Sequence, residues 1–140
     1  MSKRNLLLLF LLLCPFAGAR SADDVLKLYF KSIGIQQGLS HQMVNAIVKD
    51  PQGFIWICTA EGLNRYDGTE FHVYRHEPGN PCSLSTSWIN CLYITRDGRL
   101  FIGTEKGVNV YNAQKENFER ISAENDSRNL LGNLRIRCFC

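Results

Sequence analysis

The chain has 140 residues, with 16 basic and 13 acidic side chains and a formal net charge of +3 at pH 7. Lys3 and Arg4 supply most of that excess. With those two set aside, 14 basic side chains face 13 acidic ones, which leaves no electrostatic footprint for nucleic acid.

Residues 1–22 read as a secretory signal. Lys3 and Arg4 form a positive n-region, Leu6 to Phe16 an apolar h-region, and Ala17-Gly18-Ala19 an A-x-A cleavage site, with Arg20-Ser21-Ala22 as a second candidate. The apolar run is shorter than the roughly 20 residues a membrane span needs, and no later segment is apolar enough to span a bilayer. A lipoprotein reading through Cys14 is the weaker alternative, because Leu13 is bulky and Pro15 follows. Export is therefore expected, with nothing in these residues to hold the chain in a membrane.

Beyond residues 23–37 the chain repeats itself. Gly53 to Gly68 (GFIWICTAEGLNRYDG) returns, in register, as Gly98 to Asn112 (GRLFIGTEKGVNVYN), an offset of 45 residues. Leu39-Ser40 answers Leu84-Ser85, Val44-Asn45 answers Ile89-Asn90, and Ile47 answers Leu92 at the same offset. A third copy begins near the C-terminus, where Ile136-Arg137-Cys138-Phe139 lies 47 residues after Ile89-Asn90-Cys91-Leu92. An internal repeat constrains the fold before any single residue does.

One copy contains four short segments. Met43–Lys49 is β-rich and ends at the turn Asp50-Pro51-Gln52-Gly53. Phe54–Thr59 ends at Ala60-Glu61-Gly62, Leu63–Tyr66 ends at the hairpin signal Asp67-Gly68, and Glu70–Arg75 is the fourth. Strands this close, joined by tight turns, can only be antiparallel neighbours. They are apolar on both faces: Phe54, Trp56 and Cys58 alternate with Ile55 and Ile57. A sheet with one wet face would instead alternate apolar with polar. Sheets of four strands recurring every 40–50 residues and covered on both sides point to an all-β fold, a partial β-propeller of about two and a half blades.

The expected organisation is residues 23–37 as an N-terminal segment, 38–82 and 83–129 as two blades, and 130–140 as the start of a truncated third. Residues 29–33 would be an outer strand that completes the last blade of a closed ring. The repeat motif residues Trp56, Thr59, Gly62, Tyr66, Asp67, Gly68, Phe101, Gly103, Thr104, Gly107 and Tyr111 account for themselves as turns and interblade core. Gly53, Gly62, Gly68, Gly98 and Gly107 fall where hairpins need positive φ.

These residues resemble the two-component regulator propeller repeats. The pattern G-L-S, V-x-x-I, D-x-x-G-x-(L/I)-W-I-G-T and G-L-x-R-Y-D-G is matched by Gly38-Leu39-Ser40, Val44, Ile47, Asp50, Gly53, Ile55-Trp56-Ile57, Thr59, Gly62-Leu63 and Arg65-Tyr66-Asp67-Gly68. Cys58 departs from the usual glycine, Phe101 from the tryptophan and Thr95 from the aspartate. The resemblance covers roughly residues 29 to 140. It implies the beginning of the extracytoplasmic sensor half of a membrane histidine kinase, of the hybrid kind found in gut Bacteroidetes. The ligand it implies is an oligosaccharide or polysaccharide fragment, with further blades of the same chain as partners and a dimer in the full-length sensor. Neither a cofactor nor a metal is implied. No phosphoacceptor helix or nucleotide-binding glycine box is present, so the segment itself is read as non-enzymatic.

The remaining candidates are few. His41, His72 and His76 have no nucleophile beside them and read as surface residues. Asp50, Asp67 and Asp97 sit in turns that explain them without a catalytic pair. Cys58, Cys82, Cys91, Cys138 and Cys140 survive cleavage at Ala19, an odd number that argues against a complete disulfide framework. Cys58, Cys91 and Cys138 fall in slots for small buried residues. Trp88 aligns with Met43 on the loop leading into an inner strand, where it either stacks on a sugar ring or packs in the core. A secreted propeller enzyme acting on polysaccharide and a non-catalytic scaffold remain the alternatives to a sensor.

Overall fold

The structure is a computed structural model, and it describes residues 29–121 and 134–139. The signal-peptide reading of residues 1–22 lies outside these residues, as does most of the segment from 122 to the start of the third copy. The chain divides into two units, residues 1–31 and 32–140, and the second holds all the strands described here. None of the described helices is long and apolar enough to cross a membrane.

Eight strands form two sheets. β1 (Val44–Lys49), β2 (Ile55–Thr59), β3 (Gly62–Tyr66) and β4 (Phe71–Tyr74) make the first; β5 (Ile89–Ile94), β6 (Leu100–Thr104), β7 (Gly107–Asn112) and β8 (Asn117–Arg120) make the second. Both sheets are antiparallel meanders in the order of the sequence. In the first copy the strand ends fall within one residue of the expected segments. The local reason is turn chemistry: Gly53 (φ 99°) and Gly98 (φ 83°) close matching turns in which their N–H groups donate to Asp50 O and Thr95 O.

Residues 29–34 form no strand. Their expected place was on the last blade of a closed ring. A single 3-10 turn, Ile35–Gln37, leads into the first sheet.

The core lies between the sheets. Trp56, Cys58, Leu63 and Tyr74 of the first sheet meet Ile89, Leu100, Ile102 and Phe118 of the second, with Leu84 sealing one side. The pairing register shows how one blade presents two different faces. Ile47, Ile57 and Asn64 are cross-strand partners and share one face, whereas Val48, Trp56 and Arg65 share the other. Only the second of these faces meets a neighbouring sheet. Ile47 is 59% exposed while its repeat counterpart Leu92 packs against the core, and Tyr93 is 47% exposed while its counterpart Val48 packs there. One residue class at one repeat position is thus buried or exposed according to whether a blade stands beside it.

Candidate functional site: the blade interface and the leading loops

Each blade carries the same buried polar knot. Asn64 Oδ1 accepts from Ser40 N (2.8 Å), its Nδ2 donates to Ser40 Oγ (2.9 Å), and Ser40 Oγ lies 2.8 Å from Thr59 Oγ1. In the second blade Asn109 Oδ1 accepts from Ser85 N (3.0 Å), Nδ2 donates to Ser85 Oγ (2.9 Å), and Ser85 Oγ lies 3.0 Å from Thr104 Oγ1. Thr59 Oγ1 also donates to Gly62 O and accepts from Glu61 N, as Thr104 does with Gly107 and Lys106. Both asparagines and both threonines are fully buried, so their polar atoms need these partners. Ser40, Thr59 and Gly62 of the motif therefore tie the leading loop to the β2–β3 turn. The asparagines, aligned at the repeat offset, were missed in the sequence although their recurrence was visible.

A second device was also missed. In both blades the register slips by one residue on the inner strand, and the extra residue is Asn45 in β1 and Asn90 in β5. A bulge re-aims the side chain it carries. Asn45 Nδ2 donates to Ile89 O (2.6 Å), and Asn90 Nδ2 donates to Ile136 O (2.8 Å). Each asparagine thereby stitches its inner strand to the start of the next copy. The second stitch places Ile136 as the counterpart of Ile89, in keeping with the 47-residue offset.

The motif's aromatic and charged residues build the interface itself. Trp56 is 2% exposed; its ring lies 4.8 Å from Tyr111 and 6.0 Å from Tyr74, while Phe118 packs on Tyr74 at 5.3 Å. Trp56 Nε1 donates to Asp50 Oδ2 (2.7 Å), and Asp50 Oδ1 accepts from Phe54 N (2.9 Å). The second blade has Thr95 and Phe101 at these positions, and Thr95 Oγ1 accepts from Arg99 N (3.0 Å). The carboxylate is thus absent where the indole is absent. Arg65 lies over Phe54 (4.9 Å) and donates to Tyr111 Oη (3.0 Å) and Glu116 Oε1 (3.2 Å) across the interface. Tyr66 and Phe71 pair at 4.7 Å on the opposite face, and they are the counterparts of Tyr111 and Phe118.

The turn aspartates and histidines have local tasks. Asp67 Oδ1 accepts from Thr69 N, Thr69 Oγ1 and Glu70 N (2.7–2.8 Å), and these bonds pull its carboxyl down to about 2. Asp97 pairs with Arg99 at 2.9 Å, both side chains being exposed. His41 Nδ1 accepts from Met43 N, and exposed His72 packs against Tyr74 at 4.5 Å with the rings tilted by 59°. His76 departs from the surface expectation. It is half-buried, with Nδ1 2.7 Å from Leu84 O and its N–H on Ser87 Oγ, so it pins the interblade loop.

Burial pushes the Cys58 thiol up to about 12 and raises that of Cys91. Cys138 is exposed, unlike the small buried filler expected there, because residues 134–139 form no strand among the described residues. Among those residues no three His, Cys, Asp or Glu side chains converge.

At the end of the sheets where β1 and β5 begin, Trp88 is 42% exposed. Its Nε1 donates to Asn90 Oδ1 (3.1 Å). Asn90 Nδ2 also reaches Glu105 Oε1 (3.0 Å), and Arg135 Nε meets the same oxygen at 2.8 Å. Trp88 therefore stands outside the core described above.

Two four-stranded meanders sharing one core, stitched by their inner strands, define consecutive blades of a β-propeller. The model of the two component regulator propeller family matches residues 38–61 and 83–106, one stretch in each blade. The chain is 41% identical over 56 residues to "Histidine kinase P4" of Formosa agariphila, across 40% of this chain and 4% of that protein. Among solved structures it resembles the extracellular domain of the hybrid two component system BT3049 from B. thetaiotaomicron. There the TM-score is 0.64 and the identity 34%, over 74% of this chain and 15% of the other. The extracellular domain of BT4673 from the same organism shares the fold, with a TM-score of 0.54 and 24% identity over 66% of this chain and 14% of that one. The chain thus spans a small part of each relative.

Proposed function

We propose that these blades are the first part of an extracytoplasmic, glycan-sensing propeller belonging to a two-component sensor histidine kinase, and that they carry no catalysis of their own. The observation that supports this reading most directly is the 34% identity, over 74% of this chain, to the extracellular domain of a hybrid two component system. The packing agrees with it: the motif residues that recur between the two blades form turns and the interface, which leaves ligand contact to the loops. The chain would be exported to the periplasm through residues 1–22, and kinase chemistry would reside in a remainder anchored in the inner membrane. The test is autophosphorylation of the intact protein in membrane vesicles, with and without oligosaccharides made by partial digestion of plant and host polysaccharides. A glycan-dependent change in phosphorylation is expected. Turnover of a polysaccharide by the purified protein, without any phosphorylation response, would replace the sensor with a secreted enzyme.

A further inference from the structure

We propose that Trp88, Glu105 and Arg135 form a subsite for one neutral pyranose ring of a bound oligosaccharide, with Asn90 as the positioning residue. The proposal rests on the glycan-sensing reading and names where and how that ligand is held. Trp88 keeps a large apolar face in water while its indole N–H is tethered to Asn90 Oδ1. That tether fixes the ring plane before any ligand arrives, so little side-chain freedom is lost on binding. Asn90 holds Glu105 through its other carboxamide atom, and Glu105 Oε1 in turn holds Arg135 Nε. One carboxamide thus sets an aromatic face beside an ion pair.

The free atoms of that pair define the ligand. Among the described residues, Glu105 Oε2 and the two Nη groups of Arg135 make no hydrogen bond. A carboxylate oxygen only accepts, and a guanidinium only donates. Vicinal hydroxyls both donate and accept, so a diol satisfies the two together, while the apolar C–H face of the same ring lies on the indole. The opposite charges of Glu105 and Arg135 cancel, so an anionic or a cationic ring is opposed by one of them.

The first repeat supplies an internal control. Its bulge asparagine, Asn45, makes the interblade stitch to Ile89 O, as Asn90 does to Ile136 O. Yet Met43 and Ala60 stand where the second repeat has Trp88 and Glu105. The fold therefore requires the asparagine but neither the indole nor the carboxylate. Stability does not explain the ion pair either. Arg135 is 54% exposed and Glu105 28%, and a pair so open contributes on the order of 0–1 kcal/mol.

The test is calorimetric titration of the intact protein with cellotetraose, xylotetraose, mannotetraose and, as a charged counterpart, tetragalacturonate. The variants are Trp88→Met and Glu105→Ala. Each installs the residue the first repeat already carries, and an unchanged melting curve verifies that the fold is kept. Binding of at least one neutral tetrasaccharide is expected, with each variant weakening it by about tenfold or more, as for an aromatic or hydrogen-bonding anchor. Unchanged affinity in both variants would overturn the subsite and leave the sensing reading standing. Preference for tetragalacturonate over every neutral probe would overturn the assignment to a neutral ring. Binding of none of the four would remove the subsite together with the reading beneath it.

Discussion

Gly103 has no positive φ, yet it cannot carry a side chain in its present setting. A Cβ there would collide with Cys91 Sγ and come within 2.8 Å of Ile136. In the first blade the same cross-strand pair is Ala46 with Cys58; in the second it is Cys91 with Gly103. Each blade thus places one sulfur in one slot, from opposite strands. We predict that Gly103→Cys destabilises the second blade by about 1–3 kcal/mol through overpacking. Adding Cys91→Ala, which recreates the first blade's pair, should recover most of that loss. Hydrogen exchange of β5 and β6 amides in the intact protein reads both, and strict additivity of the two changes would refute the size exchange. Asp67 provides a pH test. Its folded carboxyl lies at about 2, below the ordinary 3.8, so the turn's extra protection is complete above that ordinary value and is lost as pH falls through about 2. Exchange of the Thr69 and Glu70 amides, corrected for intrinsic rate, should rise over that window. In Asp67→Asn it should show no such dependence.

Asp50 and Trp56 belong to different ends of β2's leading hairpin and act as one unit, because the turn's carboxylate accepts the buried indole N–H. Asp50→Thr alone should cost about 1–3 kcal/mol by leaving that donor unpaired. Asp50→Thr with Trp56→Phe, the second blade's own combination, should cost less than the two single changes summed. Equal costs would show that the bond contributes nothing. Strand bounds, turns and the two-faced apolar pattern were legible at this scale because each is set by residues a few positions apart. The bulge asparagines were not, although Val44-Asn45 and Ile89-Asn90 visibly recur. A bulge is a property of two paired strands, and its side chain is answered by a third. Arg65 was hidden for the same reason: its partners Tyr111 and Glu116 lie 46 and 51 residues away. His76 was placed on the surface because no local pattern marks a loop that folds back over it.

At the scale of the whole molecule the repeat names the architecture, and what it leaves open follows from geometry. The first blade turns Ile47 and the Tyr66–Phe71 pair away from its neighbour, and the second turns Phe101, Val110 and Tyr93 away from the first. These are the counterparts of residues that form the core between the two blades; among the described residues the first blade's outward face has no other half, and the second's meets only residues 134–139, where Phe139 lies 6.1 Å from Tyr93. Stacked repeats draw their stability from neighbours, and fewer than about three leave too little buried surface to offset the cost of ordering the chain. We predict that the isolated chain, freed of its first 19 residues, associates through these faces and shows no cooperative, reversible thermal transition. Sedimentation should reveal species larger than a monomer that grow with concentration. Ile47→Lys with Tyr93→Lys separates the two causes. Charging both faces should suppress association, because it places a desolvation penalty on each contact. It should not create a transition, because no core is added. A monomeric preparation of the unaltered chain that melts sharply and refolds would show that two blades and one shared core suffice.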